Sequence, residues 1–401
     1  MSLVEEFKAC RHKTLQIFKD IDRETLCYQA DPNFSPVGWH LGHIAYIESL
    51  WLLESSGGLP CLFPHYRQLF AADSLPKSQR CNLPDLGEIY NYLEVVRKQV
   101  FQYLETVNLK SDIKLCYFII QHESQHYETI CSVLEIIKQQ KNYQPQLTSG
   151  NYSSLNNELV EIAASKFLMG NNSTYAMDNE SPTITIHLDT YWIDKYPVTC
   201  SQYRKFIEFG GYNNPKYWSK SGWQWRQKIN IQQPLYWQNN IALNNHPVSG
   251  VSYYEAQAYA CFIGKRLPTE AEWEKAASWN IENNSCQIYL WGDQENTRYY
   301  NYNNHIGTTT VVDSYPLGQS AYGLFDTLGN VWEWTDSWFC SYKGFKYYPS
   351  KEYSQVYFNN QYHVLKGGSW ASTHWILRPS FRNWYHPETR QVRIGFRCAV
   401  S

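Results

Sequence analysis

The chain has 401 residues, which at roughly 100–200 residues per domain predicts two domains or three small ones. Aromatic residues make up 16% of it, with 16 Trp and 33 Tyr beside 3 Met, a content that excludes a disordered or fibrous chain. Its 35 basic and 37 acidic residues leave a formal charge of −2, so no electrostatic excess points to nucleic acid or to an anionic membrane surface as a partner.

Residues 3–140 read as helices, with apolar positions recurring at helical spacing over Leu3–Ile21, Val37–Leu53, Leu86–Leu104 and Ile113–Ile137. Four long helices predict a bundle. The N-terminal MSLVEEFKACRHKTL carries charges where a signal peptide needs an unbroken apolar stretch, and no apolar run reaches the ~20 residues of a membrane span, so a cytoplasmic location is expected. Breaks between the helices fall at Asp31-Pro32-Asn33-Phe34-Ser35-Pro36, at Gly57-Gly58-Leu59-Pro60 and at Ser111-Asp112. The connection from Gly57 to Pro84 is longer than about 12–15 residues, which marks it as a candidate lid or substrate wall.

Polar residues with Pro145, Ser149, Gly150 and Ser153 predict a linker over 141–157, dividing the chain into domains 1–140 and 158–401. Beyond it strands are short, and Cys200–Phe209 and Tyr253–Ile263 read as helices, with Ala271–Ala276 a candidate third, which is α+β grammar. The 11 Cys, an odd number without a Cys-x-x-Cys pair, suit reduced, structural thiols.

The fourth helix carries His122-x-x-x-His126-x-Glu128. Residues four apart share a helix face, so both imidazoles can grip one metal, while Glu128 turns away as a structural residue. An isolated spacing of this kind more often marks polar bundle positions than a metal site. A second source, Trp39-His40-Leu41-Gly42-His43, changes that balance by offering a third imidazole from another helix. On spacing alone either His40 or His43 completes the set, and the donors suit iron, copper, zinc or nickel.

The second half strings together Phe167-Leu168-Met169-Gly170, Tyr196-Pro197-Val198-Thr199, His246-Pro247-Val248, Lys265-Arg266-Leu267-Pro268-Thr269-Glu270-Ala271-Glu272-Trp273-Glu274, Gly329-Asn330-Val331-Trp332-Glu333-Trp334, Gly367-Gly368-Ser369-Trp370 and Gly395-Phe396-Arg397. In this order they resemble the formylglycine-generating-enzyme (sulfatase-modifying factor) fold, a variant of the C-type lectin fold. The helical half resembles a DinB-type four-helix bundle. The pairing is similar to the architecture of the ergothioneine sulfoxide synthases, the EgtB-like non-haem iron enzymes, with their ovothiol and selenoneine relatives.

The resemblance implies Fe(II) on His43, His122 and His126, with O2 as co-substrate, and a reaction joining cysteine or γ-glutamylcysteine sulfur to the imidazole of hercynine or another histidine derivative as a sulfoxide. It implies Gln125, Arg382, Asn383, Trp384 and Tyr385 as substrate-binding residues, Trp384 offering a trimethylammonium an aromatic face. Most tryptophans in so aromatic a domain are core residues, and the polar neighbours Arg382 and Asn383 favour the functional reading. It implies Tyr353 as a catalytic partner tyrosine. A second family tyrosine is replaced by Ser350, which leaves Tyr347 or Tyr348 as proton donor, with Tyr348 paired here to Tyr353. Where one branch has an acidic residue for the thiol substrate this chain has Tyr385, and where another has tyrosines after a Leu-Phe pair, Leu69-Phe70 leads to Ala71-Ala72-Asp73-Ser74.

Asn330 and Glu333 are expected either as Ca2+ ligands or as a hydrogen-bonded turn, and Thr269 as a helix cap with Glu272 as its partner. Formylglycine generation itself is disfavoured, because its cysteine pair falls on Ser372 and Leu377. The remaining alternatives are a thiol dioxygenase, a selenium- or ovothiol-type synthase, and a non-catalytic lectin-like binding protein.

Overall fold

The computed structural model describes residues 2–106, 109–141, 155, 158–280, 282, 285–287 and 297–401. The expected linker therefore lies outside the described residues apart from Lys141 and Leu155. The chain divides into two compact units, Met1–Pro145 and Gln146–Ser401.

In the first unit α1 (Leu3–Gln16) starts at a capping box, Ser2 accepting from the Glu5 amide while Glu5 accepts from the Ser2 amide. A short α2 (Arg23–Cys27) leads to α3 (Val37–Glu48), which continues as π-helical turns over Ser49–Ser56. Every residue of α3 from Val37 to Ala45 is buried. A helix buried all round must be wrapped by others, and α3 packs on α2, on α5 (Leu86–Thr106) and on α6 (Leu109–Gln140). One charged residue from each long helix meets in the interior. Arg11 reaches Glu48 and Glu123 at 2.8 Å each, and Arg97 reaches Glu48 at 2.5 Å and Glu123 at 3.1 Å.

The connection between α3 and α5, expected as a lid or substrate wall, is anchored on the bundle. It contains α4 (Arg67–Phe70), and Phe70 packs where Gly42 has no side chain, since a Cβ there would meet its ring at 2.1 Å. Leu69 O accepts from Trp39 Nε1 at 2.7 Å, and the Arg80 guanidinium lies 4.2 Å over the Trp39 ring.

The second unit is built on two small sheets. One has the order β1 (Leu159–Ile162), β4 (Tyr191–Asp194), β11 (Ala399–Val400), all antiparallel. The other has the order β10 (Ile394–Gly395), β7 (Trp332–Trp338), β8 (His363–Lys366), β9 (Asn383–Tyr385), with β10 parallel to β7. A hairpin of β2 (Ser165–Met169) and β3 (Ile184–Leu188) and a short pair of β5 (Trp279–Asn280) and β6 (Ser285–Cys286) complete the described strands.

Helices α7 (Cys200–Glu208), α9 (Tyr253–Phe262) and α10 (Glu270–Ser278) each begin at a capping box, the last built by Thr269 and Glu272 as their spacing predicts. Helix α8 (Lys220–Ile229) is not predicted, because Gly222 and two tryptophans blur its pattern. Its start and stop chemistry is nonetheless present, in the Ser219 cap and the left-handed Asn230. All 11 cysteines are free, and no described helix is long and apolar enough to cross a membrane.

The sequence motifs of this half mostly join to one another. Arg397 grips both carboxylate oxygens of Glu333 at 2.7 Å and donates to the Phe325 carbonyl at 2.8 Å, while Trp273 Nε1 donates to Glu333 at 2.7 Å. Lys265 pairs with Asp194 at 2.6 Å and Arg266 with Glu272 at 2.7 Å, which leaves that basic pair a structural role.

Candidate functional site

On α3 and α6 the imidazoles of His43, His122 and His126 converge, one ligand atom from each lying within 4.8 Å of the others. Among the described residues this is the group of three or more His, Cys, Asp or Glu side chains with metal-holding geometry. Helical spacing brings His122 and His126 together, Nε2 to Nε2 at 3.1 Å. Two nitrogens about 2.1 Å from one ion and at a right angle to each other stand about 3.0 Å apart, so the pair has the spacing of adjacent ligands. His43 is buried and the other two are half-buried, which leaves the trio accessible from one side.

Each imidazole is held by its surroundings. Trp39 stacks on His43 at 4.6 Å between ring centres, and Phe70 O accepts from His43 Nδ1 at 2.7 Å, leaving Nε2 bare to a metal. His40 joins no ligand group. Its Nδ1 lies 2.8 Å from Nδ1 of His126, and its Nε2 is buried without a hydrogen-bond partner. Burial lowers the affinity of all four rings for a proton. It brings His43 to about 4 and, with the neighbouring His43 adding a smaller push, His40 to about 3, while His122 and His126 fall well below their ordinary value. Metals bind neutral imidazole, so the donor set fits a first-row divalent ion. Glu128 is buried and stands outside the group, in keeping with the helical geometry.

Gln125 precedes His126 on α6, half-buried, with its Nε2 donating to the Gln121 carbonyl at 3.2 Å. In the second unit Trp384 and Tyr353 come together edge to face at 5.9 Å. The sequence did not single out two further members of this cluster, Phe339, stacked on Trp384 at 4.2 Å, and Tyr357, at 5.5 Å. Asp178 grips the loop on both sides of Ser350, accepting from the Tyr348 amide at 3.2 Å and from Ser354 Oγ at 2.5 Å.

Other expected residues are engaged within the fold. Arg382, implied as a substrate-binding residue, is one of them. It is 1% exposed and its guanidinium is taken up by Glu270 at 2.6 and 3.0 Å and by the carbonyls of Asn179 and Cys340. Asn383 Oδ1 accepts from the Trp384 amide at 2.9 Å, and Tyr385 opposes His363 across the β8–β9 ladder. Strand alternation therefore points Asn383 and Tyr385 to the face opposite Trp384.

Of the two alternatives for Asn330 and Glu333, the contacts fit the hydrogen-bonded turn: Arg397 and Trp273 occupy Glu333, while the Asn330 carboxamide accepts from Thr310 N at 2.9 Å and donates to Asp326 at 2.7 Å. Asp326 Oδ1 is one of several buried oxygens without a hydrogen-bond partner, and burial pushes the Asp326 pKa up to about 8.

A helical unit with three converging imidazoles, followed by a mixed unit of small sheets and capped helices, defines the class. Residues 6–130 match the DinB superfamily, and residues 144–401 match the sulfatase-modifying factor enzyme 1-like domain. The chain is 36% identical to the hercynine oxygenase of Mycobacterium tuberculosis over 97% of its own length and 96% of that protein. It is 35% identical to the Mycolicibacterium thermoresistibile hercynine oxygenase, over 99% and 94%. The chain belongs to the hercynine oxygenase family, in which a DinB-type bundle precedes a sulfatase-modifying-factor-type domain.

Proposed function

We propose that this protein is a non-haem Fe(II)- and O2-dependent sulfoxide synthase acting on hercynine, or a close histidine derivative, and cysteine or γ-glutamylcysteine. The observation that carries this reading is the convergence of His43, His122 and His126 in a chain that matches hercynine oxygenases over nearly its full length. In the overall reaction a ring C–H and a thiol S–H are replaced by a C–S bond; one oxygen atom of O2 stays on sulfur and the other leaves with the two hydrogens as water. Bound by the three imidazoles, Fe(II) supplies open coordination positions and the redox chemistry for O2.

The rest falls to the chain's own residues. His43 keeps its Nδ1 proton on the Phe70 carbonyl and presents Nε2. Gln125, adjacent to His126, orients the histidine derivative. The trimethylammonium has no N–H to donate, so it is recognised by an aromatic surface, and Trp384 with Tyr353 and Tyr357 offers one, Phe339 already covering one Trp384 face. Tyr348, on a loop anchored by Asp178, provides the phenolic proton, with Tyr353 as its partner tyrosine.

The test is anaerobic reconstitution with Fe(II), followed by aerobic incubation with hercynine or histidine against a panel of thiols. One iron per chain is expected, together with a product whose mass is the sum of both substrates plus one oxygen and less two hydrogens. His126→Ala removes both. Near-normal iron in that variant defeats the assignment, and O2 uptake that yields only thiol sulfinate points to a thiol dioxygenase instead.

A further inference from the structure

The Nδ1 atoms of His43 and His126 both face built partners, but of different kinds. For His43 the partner is a carbonyl, which can only accept, so its tautomer is fixed. For His126 the partner is another imidazole, His40, at 2.8 Å, and two proton arrangements are open. In one, His40 donates to His126, which then carries its proton on Nε2 and points it at His122 Nε2, 3.1 Å away. That string of rings blocks the nitrogen a metal needs. In the other, His126 carries its proton on Nδ1 and donates to His40, and its Nε2 is bare.

We propose that His40 is a positioning residue for metal binding, its Nδ1 accepting the Nδ1 proton of His126 and so selecting the tautomer that coordinates through Nε2. The inference rests on the metal-centre reading above. Three features of the site support it. His40 lies three residues before His43, on the same side of α3, so one helix supplies both a ligand and the support for a ligand on α6. The Trp39 ring meets His40 edge-on at 5.5 Å between centres and limits its rotation. The His40 Nε2 atom makes no close hydrogen bond, but the Ser35 backbone interacts with this ring in the sense that favours a proton on it, so the fold can hold the ring's own proton away from His126. The exchange between arrangements moves protons within neutral rings and changes no net charge.

The test uses the full chain and Co(II) as the spectroscopic probe, with affinity measured by chelator competition in wild type, His40→Leu, His40→Asn and His126→Ala. The asparagine Oδ1 falls near the position of Nδ1 and can accept the same proton. His40→Leu is expected to weaken Co(II) binding by about 10–100-fold, as loss of a ligand's hydrogen-bond partner does, with His40→Asn close to wild type and His126→Ala without stoichiometric metal.

In Zn(II)-loaded, 15N-histidine-labelled wild type, His126 should be protonated at Nδ1. If His40→Leu fails to fold, the asparagine variant and this NMR reading decide the matter. Unweakened binding in a folded His40→Leu, equal losses in both His40 variants, or a proton on His126 Nε2 overturns the proposal while leaving the metal centre standing. Absence of stoichiometric Co(II) in wild type overturns the metal centre and the proposal together.

Discussion

His43, His122 and His126 are usable ligands because burial keeps them neutral and tertiary contacts decide which nitrogen is bare. The i, i+4 spacing of the α6 pair was legible in the chain, and the resemblance supplied His43. The role of His40 was not legible, since it depends on a partner 86 positions away. Nor was it legible that the strand sends Asn383 and Tyr385 to the face opposite Trp384, or that Arg382 pairs with Glu270, since both depend on the folded neighbourhood. Trp384 keeps its candidacy, with an aromatic neighbourhood that a sequence pattern could not reveal. A cation over an aromatic face is worth about 0.5–2 kcal/mol, or about 2- to 30-fold in affinity. Trp384→Ala should therefore reduce the preference for hercynine over histidine by that factor, read as the ratio of their kcat/KM values. An unchanged ratio would remove Trp384 from recognition of the trimethylammonium.

Sequence pattern marked α1, α3, α5, α6, α7 and α9, and the Thr269–Glu272 capping box marked the start of α10, because those signals are local. What holds the bundle helices in register is not local. Arg11, Glu48, Arg97 and Glu123 come one from each long helix, and they link the α3 segment bearing His43 to the α6 segment bearing His122 and His126. No spacing rule announces four charges that neutralise each other in a core. Removing one member leaves its partners buried and under-compensated, at a cost of about 3–5 kcal/mol. Glu48→Ala should therefore lower the denaturant midpoint by a corresponding amount, and restoring neutrality with Arg97→Met in the same chain should recover part of the loss. A double variant no better than the single one would show that packing, not charge balance, sets the cost.

At the scale of the whole chain, the near-zero formal charge hides an imbalance between folded and unfolded states. His40, His43, His122, His126, His246 and His363 all have proton affinities lowered chiefly by burial, to about 3 for His40 and about 4 for His43, His246 and His363. In the unfolded chain each returns to roughly 6.5. Between those values the unfolded state binds protons that the folded state refuses, so stability is full above about pH 6.5 and falls as the pH drops toward 4. Asp326 acts in the reverse sense, since its pKa is raised to about 8 and it takes up a proton on folding throughout that window. Six histidines against this carboxyl still give a net loss on acidification. Urea midpoints should thus decline steadily from about pH 7 to about pH 5, and Asp326→Asn, by removing the opposing group, should steepen the decline; measuring in EDTA keeps adventitious cations out of the comparison. Bound metal requires the same neutral rings, which the folded chain already holds neutral down to about pH 5, so at a hundredfold excess over its Kd it should add about 2.7 kcal/mol and raise the midpoints without changing their slope over this range. A metal-free midpoint that is flat from pH 7 to 5 would mean that the buried histidines become protonated without unfolding, and would overturn this account of why they are neutral.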